Sequence, residues 1–187
     1  MTPAKLDRER AALVVIDVQE GFRKAVPSLE DVARGAAALV RGAQATGVPI
    51  LVTEQYPKGL GRTVPELADA FPEGLEPIEK VCFSAPEAEG FDLGGREQAI
   101  VCGVEAHVCV NQTVLDLIDQ GIEVHVPVDA IGSRFAQSRE IGIEKARRAG
   151  AVITSVETAL FELVERAGTD EFKEIHRVVL DYAPSPS

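Results

Sequence analysis

Ala11-Ala12-Leu13-Val14-Val15-Ile16-Asp17 is a run of six apolar residues closed by a carboxylate. A continuous apolar run of this length reads as a strand buried on both faces, as in the middle of a parallel sheet. Working outward, helical and strand-like segments alternate almost throughout. Val32, Ala36, Leu39, Val40 and Ala43 share one face of a helix from about Leu29 to Thr46, and Gly47 fits its stop. Further strands are expected at Val48 to Thr53, Pro77 to Phe83, Gln98 to Cys102, Ile122 to Val126 and Ala151 to Thr154. The Gly- and Pro-rich stretch from Glu54 to Arg62 reads as a loop. Helices are expected from about His107 to Gln120, ended by Gly121, and from Ser138 to Ala149, closed by Gly150. Ser155 caps a last helix through Val164, and Asp170 to His176 continues helically. The pattern predicts an α/β fold: a three-layer, Rossmann-like arrangement with a six-stranded, mostly parallel sheet of order 3-2-1-4-5-6 and helices on both faces. Residues 1–187 read as one domain, with a core over about 8–181 and a mobile tail from Ala183 to Ser187.

Composition narrows the function. The net charge of -11 argues against nucleic acid and anionic membrane surfaces as partners. The N-terminus is too charged for a signal peptide, and no apolar run approaches membrane-spanning length. Cys82, Cys102 and Cys109 form no C-x-x-C pair and leave an odd count, which reads as reduced thiols in a cytoplasmic protein. Strand 1 is followed by no G-x-G-x-x-G turn and the chain has no P-loop, so no cofactor is expected. His107, His125 and His176 lack zinc-ligand spacing.

In the expected strand order, strands 1 and 4 are neighbours at the switch point, where ligands bind beyond the carboxyl ends. Asp17 ends strand 1, and Val101-Cys102-Gly103-Val104-Glu105-Ala106-His107-Val108-Cys109 runs from strand 4 into a helix. Cys109 falls in or near the helix's first turn, where free N–H groups and the helix dipole favour an anion. A thiol there is expected to ionise more readily than a free one, and the same N–H groups can hold an oxyanion. Asp17 is a candidate general base for that thiol; a loop or capping aspartate is the alternative. Lys80 either points into the crevice, favouring a thiolate, or faces solvent from an edge strand. His107 ranks below Asp17 as a base, because residues i and i+2 lie on different faces of a helix. Cys82 and Cys102 read as buried, inert thiols within strands.

Three blocks resemble the isochorismatase-like cysteine hydrolases: Val15-Ile16-Asp17-Val18-Gln19, Lys80-Val81-Cys82-Phe83-Ser84 and Gly103-Val104-Glu105-Ala106-His107-Val108-Cys109-Val110. The segment from Thr53 to Leu67 is similar to the isochorismatase domain-containing protein subgroup. The resemblance covers about Ala11 to Val179 and implies the isochorismatase-like fold with a catalytic triad of Asp17, Lys80 and Cys109. It also implies a cis bond between Val104 and Glu105 that aims the N–H groups of Glu105 and Cys109 at a substrate carbonyl. The histidines that hold a metal in nicotinamidases of this superfamily are absent here, so no metal is expected. The resulting expectation is a metal-independent hydrolase of a small amide or carbamoyl compound, working through a thioester. The rivals are an isochorismatase-type ether hydrolase and a non-catalytic binding protein that kept the fold. Phe22, Gln55, Tyr56 and Phe83, near strand ends, are the expected pocket walls. The family commonly assembles, so a homo-oligomer, dimer or larger, is expected.

Overall fold

Leu13 and Val15 are buried against one helical layer, and Ala12, Val14 and Ile16 against another. This alternation makes β1 (Ala11–Ile16) the central strand of a three-layer fold. The computed structural model describes residues 5–182, and the expected mobile tail lies outside them. The elements that follow are α1 (Leu29–Thr46), β2 (Ile50–Gln55), α2 (Pro57–Leu60), α3 (Pro65–Ala68), β3 (Ile78–Lys80) and β4 (Gln98–Val104). Then come α4 (Cys109–Asp119), β5 (Glu123–Pro127), β6 (Ile131–Gly132), α5 (Ala136–Ala149), β7 (Val152–Thr154), α6 (Val156–Val164) and α7 (Asp170–Tyr182).

The sheet order is β3-β2-β1-β4-β5-β7, with β6 beside β4, and all ladders are parallel. The path of six strands is the expected 3-2-1-4-5-6 order; β6 makes a seventh strand. β5 pairs with the first half of β4 (Gln98 to Ile100), and β6 pairs with its end (Gly103 and Val104). The end of β4 is thus held from both sides. Helices α1, α6 and α7 pack on one face, through Leu39, Leu160 and Ile175 among others. Helix α4 covers the other through Val110, Val114 and Leu117. Each such side chain, fully buried, contributes roughly 1.5–3 kcal/mol.

Three expectations need correction. The third strand is three residues long, because the chain turns away after Lys80; Cys82 therefore lies outside the sheet and is only half-buried. The expected loop after strand 2 contains two single-turn helices, α2 and α3, each begun by a proline suited to a first helical turn. The sheet has seven strands rather than six, since the two residues of β6 are too few to show a pattern.

Candidate active site

Register brings the site together. Ile16 lies beside Thr53 on one side and Gly103 on the other, and Gln55 lies beside Lys80. Asp17, one residue beyond Ile16, leaves the sheet with φ +54°, a left-handed conformation uncommon outside glycine. Its carboxylate is fully buried. Oδ1 accepts from the Thr53 hydroxyl at 2.7 Å and Oδ2 from Lys80 Nζ at 2.8 Å. Neither side chain of this ion pair touches solvent. Lys80 closes an edge strand yet points inward, so the solvent-facing alternative does not hold. Asp17 caps no helix.

Lys80 Nζ meets three further acceptors: Gln55 Oε1 at 2.7 Å and the carbonyl oxygens of Cys82 and Phe83, both at 3.2 Å. The turn after β3 thus carries two carbonyls onto the ammonium. Gln55 also donates through Nε2 to the Val81 carbonyl at 2.9 Å.

Cys109 opens α4 and is buried beside Asp17 and Lys80. Burial, and then the Asp17 carboxylate, push its thiol up to about 12, against the opposing pull of the Lys80 ammonium. Greater acidity than a free thiol does not hold in the resting site: desolvation and the Asp17 charge outweigh the lysine. Cys102, enclosed in β4, is pushed up further by burial and by Asp129.

The approach to Cys109 is shaped by Gly103 at φ +118°, where a Cβ would stand 2.1 Å from the Ile16 carbonyl oxygen. The Val104–Glu105 peptide bond that follows is cis. Ala106 N–H donates to the Gly132 carbonyl of β6 at 2.8 Å, and Val108 N–H donates to the Glu105 carbonyl at 2.9 Å. The N–H groups of Glu105 and Cys109 donate to no acceptor among the described residues. The Glu105 side chain turns away to Arg134, at 2.6 Å from Nη2, and also accepts from the Arg134 backbone N–H at 2.9 Å. Burial works to raise the Glu105 pKa, but Arg134's hydrogen bonds and charge overcome it and hold it below the ordinary carboxylate value. His107 Nδ1 lies 3.2 Å from Ser133 Oγ.

A cavity of about 430 Å³ reaches the main chain of Lys80, whose side chain is buried, and is lined by Tyr56, Val81, Cys82, Glu87, Ala88 and Glu89 among others; Asp17, Glu105 and Cys109 do not line it. Of the four expected wall residues, only Tyr56 lines it. Phe22 packs half-buried against the core beside α1, Phe83 stands half-exposed, and Gln55 is occupied with Lys80. The two carboxylates nearest a metal position are engaged: Asp17 as above, and Glu54 by Arg62 at 2.8 Å and the Thr63 N–H at 2.7 Å. Among the described residues no group of three His, Cys, Asp or Glu is placed to hold a metal ion.

Sequence reasoning missed Thr53 and Gln19. The first sits inside an apolar strand pattern as an ordinary β-branched residue. Gln19, fully buried, donates from Nε2 to the carbonyls of Gln55 and Gly61 at 3.1 and 2.7 Å and accepts the Gln55 N–H at 2.7 Å. A glutamine between Val18 and Glu20, just past a strand end, carries no signal of such a clamp.

The Isochorismatase domain family model matches residues 11–158. The chain belongs to the isochorismatase family. Among its relatives, isochorismatase domain-containing protein 2 of Macaca fascicularis is 41% identical over 175 residues, covering 92% of this chain and 84% of that protein. The structure of the MAR1 ribonuclease from Caenorhabditis elegans is similar with a TM-score of 0.90 and 35% identity, over 97% of this chain and 95% of that one. The Escherichia coli YcaC product, an octameric hydrolase of unknown specificity, matches with a TM-score of 0.87 and 26% identity, over 98% and 94%. This isochorismatase-family chain is therefore a hydrolase by kinship, and its sheet places Asp17, Lys80 and Cys109 at the switch point.

Proposed function

We propose that this protein is a metal-independent cysteine hydrolase of a small amide or carbamoyl compound. The observation that carries the reading is a thiol with a buried carboxylate beside it, next to the unpartnered N–H groups of Glu105 and Cys109. In the first half-reaction the Cys109 S–H bond breaks as Asp17 takes the proton, and sulfur attacks the carbonyl carbon. Charge moves to the carbonyl oxygen, where the two N–H groups receive it; each such donor is worth roughly 3–4 kcal/mol in a transition state. Protonated Asp17 then gives its proton to the leaving amine, and a thioester remains. Asp17 next takes a proton from water, whose oxygen attacks the thioester; collapse frees the acid, and the proton returns to sulfur. Lys80 stays protonated throughout and stabilises each anion by charge.

Release of ammonia from a panel of small amides, ureas and carbamates tests this, with Cys109→Ala in parallel and with a chelator present. Turnover that resists the chelator and vanishes in the variant is expected. Turnover surviving loss of the thiol would favour the ether hydrolase, and no turnover with an inert Cys109 a binding protein. The worm protein is named a ribonuclease; a phosphate backbone calls for free Lys and Arg, and a net charge of -11 disfavours such a substrate for this chain.

We also propose a homo-oligomer. Tyr56, Val81, Phe83 and Phe135 all follow strand carboxyl ends and are half or more exposed, forming an apolar rim for a second copy. The octameric YcaC product supports this, and sedimentation of the purified protein tests it. Three free cysteines suit a reducing, cytoplasmic setting.

A further inference from the structure

The cations closest to the site are already taken by carboxylates. Lys80 is on Asp17 and Arg134 on Glu105. Arg62 bridges Glu54 and Glu79 at 2.8 and 2.6 Å. A carboxylate entering the site must displace one of these partners or be buried without one, and an unpaired buried charge is strongly unfavourable. The donors left over, the N–H groups of Glu105 and Cys109, are neutral dipoles suited to a carbonyl oxygen.

The adjoining cavity carries the same sign. Glu87 and Glu89 line it, and neither is ion-paired among the described residues. Lys58, the one unpaired cation among the described lining residues, is exposed and outnumbered by these two carboxylates. The chain's net charge of -11 adds repulsion at longer range.

Resting on the reading of Cys109 as nucleophile, we propose that this site takes small amides bearing no negative charge and rejects carboxylate-bearing compounds. Iodoacetamide and iodoacetate test this, since they carry the same leaving group and differ in an amide against a carboxylate. The rate of Cys109 alkylation by each is read by peptide mass mapping of the folded protein and divided by its rate in the urea-unfolded chain. The normalised amide-to-carboxylate ratio is expected to be about tenfold or more, and to fall about threefold in the Glu87→Gln, Glu89→Gln double variant. High salt should lower it in the wild type by screening the same exposed charges. A ratio near one overturns the proposal, and labelling by neither reagent overturns the admission of neutral compounds. A direct comparison separates this inference from the hydrolase reading. If a carboxylate-bearing amide turns over as fast as its neutral analogue, and Cys109→Ala abolishes both, the selectivity fails while the hydrolase stands. If Cys109 discriminates between the reagents but no amide turns over, the hydrolase reading fails instead.

Discussion

Lys80 has three N–H groups and four acceptors within 3.2 Å, so none of its hydrogens is spare for a substrate. Its contribution is a fixed positive charge against Asp17. Lys80→Met would leave that carboxylate buried and unpaired, and is expected to lower stability by about 3–5 kcal/mol, measured by urea unfolding. Full stability in that variant would mean that the Asp17 carboxylate needs no cationic partner. The thiol offers a second check. With Cys109 pushed up to about 12, its labelling by iodoacetamide should keep rising above pH 9, where a free thiol levels off, so long as circular dichroism reports folded protein. A plateau near pH 9 would contradict the burial argument. At this scale Asp17 is legible because it ends a run of six apolar residues, and Cys109 because it falls where a strand gives way to a helix. For Lys80 the residues alone leave a solvent-facing reading open, and only the family resemblance assigns it to the site. The balance of forces on the thiol was not legible, since burial depends on neighbours far away in sequence. The role of Gln55 was also hidden: a half-buried glutamine near a strand end reads equally as a pocket wall or as a lysine's partner.

The segment after β2 is held by side chains together with a single antiparallel backbone bridge between Gln19 and Thr63. Gln19 accounts for three hydrogen bonds, to the Gln55 N–H and to the carbonyls of Gln55 and Gly61, and Glu54 holds Thr63. In Gln19→Leu these three backbone groups lose their partner. Local opening of residues 55–63 should then become about tenfold or more easier, given roughly 1–3 kcal/mol for such losses. Hydrogen exchange reads this directly: faster exchange across that segment, with the amides of β4 and α4 unchanged. Uniform acceleration over the whole chain would instead mark a global loss of stability. Elements with strong periodicity, such as β1 and α1, were legible to the residue because one pattern fixes both ends. β6 and the two single-turn helices escaped, because two to four residues are too few to show a period: β6 pairs with the end of β4, and each helix closes its hydrogen bonds within one turn. Gly142 in α5 depends on the fold: a Cβ there would meet the Ala106 carbonyl at 2.4 Å, a contact that only the folded chain defines.

The molecule as a whole is squeezed by pH from two sides. Glu105 has a folded-state pKa below the ordinary carboxylate value, so its contribution is present above the unfolded pKa and is lost as pH falls through the folded one. Cys109 works in the opposite sense. Its thiol is raised from 9.0 to about 12 in the folded state, so its contribution is complete below pH 9 and drains away as pH rises toward 12. In that window the unfolded chain gives up a proton that the folded chain keeps. Each such thiol therefore tilts stability downward by about 1.4 kcal/mol per pH unit. Cys102, raised by burial within β4, adds a second decline over the same range. Urea midpoints measured from about pH 2 to pH 11 should accordingly show a plateau with a fall on both flanks. Cys109→Ala removes one of the two thiols, so its alkaline flank should be shallower than that of the wild type by about one proton's worth, while the acid flank keeps its slope. Parallel alkaline flanks in the two proteins would show that Cys109 titrates alike folded and unfolded, and would remove the buried, protonated thiol from which the proposed mechanism starts.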